Sequence, residues 1–412
     1  MATFTNIFLA VLAATLLTQT WLAARHIRHV GRHRQQTPES FRNAISIEEH
    51  HKAADYTCSK TRFGIIDGFY SAVILLGWTV FGGLEYLDQG LRQLHWSSTT
   101  TGTVFLMCML VIGIILDLPS SLYRTFSIEQ RFGFNKMTAR LFISDSIKQL
   151  LLMFLIGAPL AYMAIWLMDG MGQYWWLYVW LLWTGFSLLM LWLYPTVIAP
   201  LFNKFKPLED DDVRQHIENL LQRTGFRSRG VFIMDGSRRS AHGNAYFTGF
   251  GSNKRIVFFD TLLKQLNPAE IEAVLAHELG HFKRKHIIKR IVLSFGISLA
   301  SLALLGWLVQ HDWFYQGLGV SQASHHTALA LFMLAGPVFG FFLQPVFAWG
   351  SRKHEFEADN YAAEYASASE LISALVKMYK ENAATLTPDP LHSLFYDSHP
   401  PAPVRIAHLQ GN

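Results

Sequence analysis

The sequence predicts an all-α multispanning membrane protein, seven transmembrane helices with a small α+β domain attached on one side. Three observations lead there. Hydrophobic residues make up 51% of the 412 and charged residues only 16%, far more apolar than a soluble domain requires. Seven stretches are long and apolar enough to cross a hydrocarbon core, which takes about 20 residues of helix. Of the 35 Lys and Arg, all but Arg92 fall on one side of those crossings.

The spans lie near residues 4–23, 66–87, 102–122, 149–168, 174–194, 289–309 and 327–349. Trp21, Trp175, Trp176, Tyr194, Trp313 and Trp349 sit near their ends, where amphipathic rings suit the headgroup region. Residues 1–24 are uncharged, and Arg25, Arg28, Arg32 and Arg34 follow them. A cleaved signal would carry its positive charge first, so this stretch reads as a retained first span. With the N-terminus outside, the basic segments 24–65, 123–148, 195–288 and 350–412 lie inside, with the inner ends of the flanking spans. Loops 169–173 and 310–326 hold no Lys or Arg, and the C-terminus is therefore inside.

The net charge of +5 is spread by this topology and not gathered into a stripe, which favours a membrane surface and argues against nucleic acid. Cys58 and Cys108 do not suggest a disulfide framework, since Cys108 sits in lipid-like composition. The organisation expected is a membrane region 1–194 with spans one to five, then a catalytic region 195–288. The hairpin of spans six and seven follows at 289–349, and a C-terminal catalytic segment at 350–412.

Residues 267–285, NPAEIEAVLAHELGHFKRK, read as one amphipathic helix. Asn267 suits the N-cap, Pro268 the first turn and Glu270 the reciprocal capping position, while Lys283, Arg284 and Lys285 complement the C-terminal dipole. His277, Glu278 and His281 form H-E-x-x-H, which sets two imidazoles one turn apart on one face with Glu278 as the base between them. Zinc takes imidazole nitrogens well, and a catalytic zinc needs a third protein ligand. His286 is the only nearby histidine and its spacing is unsuitable. Glu355, in SRKHEFEAD at residues 351–359, returns to the same side after two crossings. Asp359 shares its helix face and suits the carboxylate that takes the far N–H of a ligand imidazole. Glu357 points elsewhere and reads as a solvated or ion-paired charge, and His354 as a non-ligand. Ala276 and Gly280 leave room for close packing beside the ligands.

At this point the chain resembles the type I CAAX prenyl proteases, seven-span membrane zinc peptidases, and resembles a bacterial homologue in its short outer loops. The likeness covers nearly the whole chain. It rests on FSIEQRFGFNKMT (126–138), YPTVIAPLFNKFKPL (194–208), HGNAYFTGF (242–250), HELGH (277–281), SRKHEFEAD and YDSHPPAPVRI (396–406), in matching order. It implies one Zn2+ per chain held by His277, His281 and Glu355, the base Glu278, the supporting acid Asp359, and helices enclosing an intramembrane chamber. It further implies that Asn244 and His399 contact substrate and steady the intermediate, with Tyr246 and Arg405 also binding substrate.

Alternation in the Asn244 segment, with residues 255–259, reads as a β-hairpin whose edge would pair with an extended peptide. The partners implied are a peptide or protein substrate, lipidated or membrane-embedded, and membrane lipid. Two other readings stay open: a membrane quality-control protease with the same zinc motifs, and a transporter with a structural metal, for which Glu85 and Asp117 would be the intramembrane acids.

Overall fold

Apolar runs bounded by polar caps set the architecture of this protein, described by a computed structural model over residues 2–228, 230–248 and 255–411. Among the described residues six helices are long and apolar enough to span: Ala2–Arg32, Ser98–Glu129, Ala139–Gly170, Gly172–Phe202, His286–Leu308 and His325–Tyr365. The pair Ile47–Trp78 and Gly83–Arg92, bent by 42°, makes a seventh where it is taken as one span. Gly82, at φ 77°, makes the left-handed turn that the bend needs. Seven crossings agree with the sequence, although two helices run well past the expected ends.

The first of these starts at Ile47, where Ser46 and Glu49 form a reciprocal cap. Its 32 residues would extend about 48 Å, more than a hydrocarbon core of about 30 Å, so the first turns stand outside the membrane. The second is the last crossing, which continues through a tight turn at Phe341–Leu343 into Gln344–Tyr365. The helix continues past the span end expected near 349, and Pro345, in the first turn of this stretch, does not interrupt it, since its missing N–H costs nothing there. Glu355 therefore stands on a direct extension of a span.

Successive spans are neighbours around the bundle, and the last packs against the first, closing a ring. Phe8, Leu84, Phe105, Ile165, Leu305 and Leu331 are fully buried where the spans converge at one end. Elsewhere along the spans Leu17, Ile66, Leu155, Val292 and Val346 are exposed.

The small domain packs helices Asp211–Thr224, Pro268–Lys283 and Ala368–Glu381, with Gln344–Tyr365, on a four-stranded sheet. Its strands are β1 (Phe205–Pro207), β2 (Val231–Met234), β3 (Ala245–Thr248) and β4 (Arg255–Phe259), in the order β1-β2-β4-β3. β2 and β4 run parallel and the other pairs antiparallel. The hairpin expected from sequence is β3–β4, and β3 is an edge strand. Its connection, with Gly249 and Phe250 of the HGNAYFTGF motif, lies outside the described residues. β1 and β2 were not expected, since strands of three and four residues are too short to show alternation. Ile217, Leu220, Phe258, Leu262, Leu275 and Leu371 form the core beneath the sheet.

Candidate metal centre

The helix Pro268–Lys283 is fixed at its start by the reciprocal cap read from sequence: Asn267 Oδ1 accepts the Glu270 N–H, and the Glu270 carboxylate accepts the Asn267 N–H, each at 2.8 Å. Glu270 also meets Ser373 and Lys377, which tie this helix to Ala368–Glu381. Its closest partner is Gln344–Tyr365. Gly280 makes that approach possible, because a Cβ there would lie 2.9 Å from Ala358 Cα. A side chain at 280 would push apart the two helices that carry the site.

The approach brings His277, His281 and Glu355 together, all ligand atoms within 4.8 Å of one another. His277 Nε2 lies 3.2 Å from His281 Nε2 and 3.4 Å from Glu355 Oε2, and His281 Nε2 lies 3.3 Å from Glu355 Oε1. Four ligands about 2.0–2.1 Å from a tetrahedral ion are separated by edges of about 3.3 Å. The gap between the imidazoles matches such an edge, and each imidazole has a different oxygen of Glu355 at a similar distance. Glu355 Oε2 is buried with no hydrogen-bond donor, its nearest fixed cation being the Arg405 guanidinium 3.9 Å away, and an oxygen so placed suits a metal ion. The residues present thus fit a divalent ion.

Asp359 is fully buried and lies 2.8 Å from His277 Nδ1, which leaves Nε2 free for the ion. Burial lowers the imidazole's affinity for a proton, but the hydrogen bonds to Asp359 and Glu355 outweigh it and push His277 up to about 9. A metal must therefore displace a proton there. Glu278 is half-buried and free of ion pairs among the described residues. His399 is largely exposed with Nε2 3.4 Å from Glu355 Oε1, at the mouth of the site.

Asn244 and Tyr246 stand at the edge strand and make no hydrogen bond to the ligand triad among the described residues. Asn244 is exposed, its Oδ1 accepting the Ala245 N–H at 2.8 Å. Tyr246 lines a cavity of about 470 Å³ with Pro195, Lys204, Phe232 and Arg255. Burial pushes its hydroxyl up to about 12. Arg405, expected from the resemblance to bind substrate, is buried behind the ligands, with Nε 2.9 Å from Asp359 Oδ2, Nη2 2.5 Å from Asp359 Oδ1 and Nη1 3.9 Å from Glu355 Oε2. The 46 residues between these partners gave the sequence no means of pairing them.

Sequence reasoning also passed over His286, tested only as a ligand. It lies 3.0 Å from His281 and 2.9 Å from Glu357, stacked on His354. The ion-paired reading of Glu357 fits this contact, although its partner was not legible in the sequence.

A ring of membrane helices with two histidines and a glutamate converging beside H-E-x-x-H defines a class, the integral-membrane metallopeptidases. Residues 26–204 match the family described as CAAX prenyl protease N-terminal, five membrane helices, and residues 207–412 match Peptidase family M48. The chain belongs to the CAAX prenyl protease branch of the M48 peptidases. It is 37% identical to the CAAX prenyl protease 1 homolog of Arabidopsis thaliana over 397 residues, covering 91% of this chain and 90% of the relative. The CAAX prenyl protease 1 of Saccharomyces cerevisiae is 32% identical over 398 residues, with 90% and 88% covered. The crystal structure of S. mikatae Ste24p superposes with a TM-score of 0.92 at 30% identity and 99% coverage of both chains. The protein is a multi-pass membrane metalloendopeptidase, and the transporter reading falls.

Proposed function

We propose that this protein binds one zinc ion through His277, His281 and Glu355 and cleaves peptide bonds near the C-terminus of prenylated CAAX proteins. The observation that carries the reading is the convergence of two imidazole nitrogens, 3.2 Å apart, on the Glu355 carboxylate, one facing Oε2 at 3.4 Å and the other Oε1 at 3.3 Å. When bound, zinc supplies Lewis acidity, polarising the scissile carbonyl and bringing the pKa of a water to about 7. Glu278, one residue past His277 and without a competing partner, takes the proton from the attacking water and delivers it to the leaving amine. His399 and Asn244 donate hydrogen bonds to the developing oxyanion. Asp359 holds the His277 proton on Nδ1, with Arg405 behind it. The edge strand β3, with Tyr246, pairs with an extended substrate backbone.

The closed ring of spans, tightly packed at one end, supports an intramembrane chamber that admits a lipid-bearing peptide. Basic residues set the orientation, with the N-terminus outside and the site and C-terminus on the cytoplasmic side. Short outer loops suit a bacterial cytoplasmic membrane. The catalytic machinery is divided between residues 195–288 and 350–412, brought together by the hairpin 289–349 and roofed by the spans of residues 1–194.

Glu278→Gln in the purified full-length protein tests the mechanism. Cleavage of a farnesylated CAAX peptide falls at least a thousandfold, while zinc content is unchanged. Full-rate cleavage by that variant would remove Glu278 as the base. Trapping of unfolded membrane proteins alone on the same variant would move the substrate class to quality control.

A further inference from the structure

His277 and His281 are held by different means, and only the support of His277 belongs to the motif logic above. His281 turns Nε2 toward the ligand triad, so its own proton must sit on Nδ1. That Nδ1 lies 3.0 Å from His286 Nδ1, and His286 Nε2 lies 2.9 Å from Glu357 Oε2. An ionised carboxylate only accepts hydrogen bonds. Glu357 therefore fixes the His286 proton on Nε2. His286 Nδ1 is left unprotonated and accepts the His281 Nδ1–H, and the His281 Nε2 lone pair is freed for the metal. Each assignment forces the next.

The backbone is arranged for this contact. Lys285 takes the left-handed conformation, φ 58°, between Pro268–Lys283 and His286–Leu308. That turn sets His286 at the start of a new helix, pointing back at the helix just left. The His286 side chain is buried, stacked on His354 with ring centroids 4.0 Å apart and planes 13° from parallel. A buried histidine held in one rotamer, with both nitrogens engaged, is costly to arrange merely as filling.

We propose that Glu357 and His286 form a relay that fixes the tautomer and orientation of His281 and strengthens it as a metal ligand, both acting as positioning residues. The inference rests on the ligand triad proposed above. Losing an outer partner of a ligand imidazole typically weakens metal affinity by about 10–100-fold.

Three full-length variants in detergent test it by zinc affinity in competition with a chromophoric chelator, and by the visible spectrum of the cobalt-substituted protein. His286→Phe keeps the ring and the stack but cannot accept, and it weakens zinc binding at least tenfold and shifts the cobalt bands. His286→Asn sets an oxygen where Nδ1 stood and recovers most of the affinity. Glu357→Ala, at a half-exposed position that leaves folding intact, lowers affinity severalfold and remains decisive should the Phe variant not fold. Affinities of the Phe and Ala variants within twofold of the native protein, or equal loss with Phe and Asn, would overturn the relay. Glu355→Ala separates the two claims: stoichiometric zinc in that variant contradicts the triad itself, whatever the relay variants show.

Discussion

The two histidines of the centre sit in unlike surroundings. Behind His277 stands a dry stack, Asp359 fully buried and neutralised by the buried Arg405. Beside His281 the carboxylate is one residue further out, and the Glu357 side chain is 34% exposed. A buried ion pair depends on both members, because the survivor of a deletion is left uncompensated. A half-exposed carboxylate can be replaced by water at small cost. The centre thus has a rigid side, set by the packing of Gln344–Tyr365 and Ala402–Gln410, and a tolerant side that opens toward solvent.

The contrast is broken most severely by Asp359→Ala. It strands Arg405 in a dry site and frees His277, and we expect a loss of about 3–5 kcal/mol with loss of stoichiometric zinc. Denaturant unfolding with metal analysis checks both. Restoration of stability by the added change Arg405→Met, without restoration of zinc, would show that the stability cost came from the stranded charge.

Gly280→Ala strikes the rigid side through packing alone. Its Cβ would meet Ala358 Cα at 2.9 Å, and overpacking of this kind costs about 1–3 kcal/mol. Zinc affinity falls as the helices separate, and chelator competition measures it. An unchanged affinity would mean that the centre tolerates a wider helix spacing than proposed.

The most gradual effect is with pH, up to about 1.4 kcal/mol for each unit. His277 is pushed up to about 9, so zinc must displace a proton below that pH, and apparent affinity rises by up to tenfold per pH unit until it levels near 9. In chelated protein the sign for stability is the reverse. The folded pKa exceeds the unfolded value of about 6.5, so the contribution of His277 is complete below about 6.5 and is lost as pH rises through 9. Calorimetry of the chelated protein across that range checks the direction.

The parts legible in the sequence are those with a strong local signature. Seven crossings follow from hydropathy, the capped helix from Asn267 and Glu270, and the triad from H-E-x-x-H plus a glutamate returned by a hairpin. Gly280 was legible as a packing residue from its place between the ligands. What was missed depends on distant partners. Arg405 was named by motif, but nothing local reveals that it meets Asp359. His286 was set aside because its spacing fails for a ligand, although that spacing, with a left-handed residue before it, suits a supporting contact. β1 and β2 carry no alternation to read, and the last span runs on past 349 as helix because hydropathy marks only its apolar part.

An anomalous difference map collected at the zinc absorption edge from crystals of the full-length protein tests the central claim most directly. The account predicts a single peak about 2.0–2.2 Å from His277 Nε2, His281 Nε2 and a Glu355 carboxylate oxygen. A peak that leaves Glu355 outside bonding distance, or one held by other residues, would contradict it.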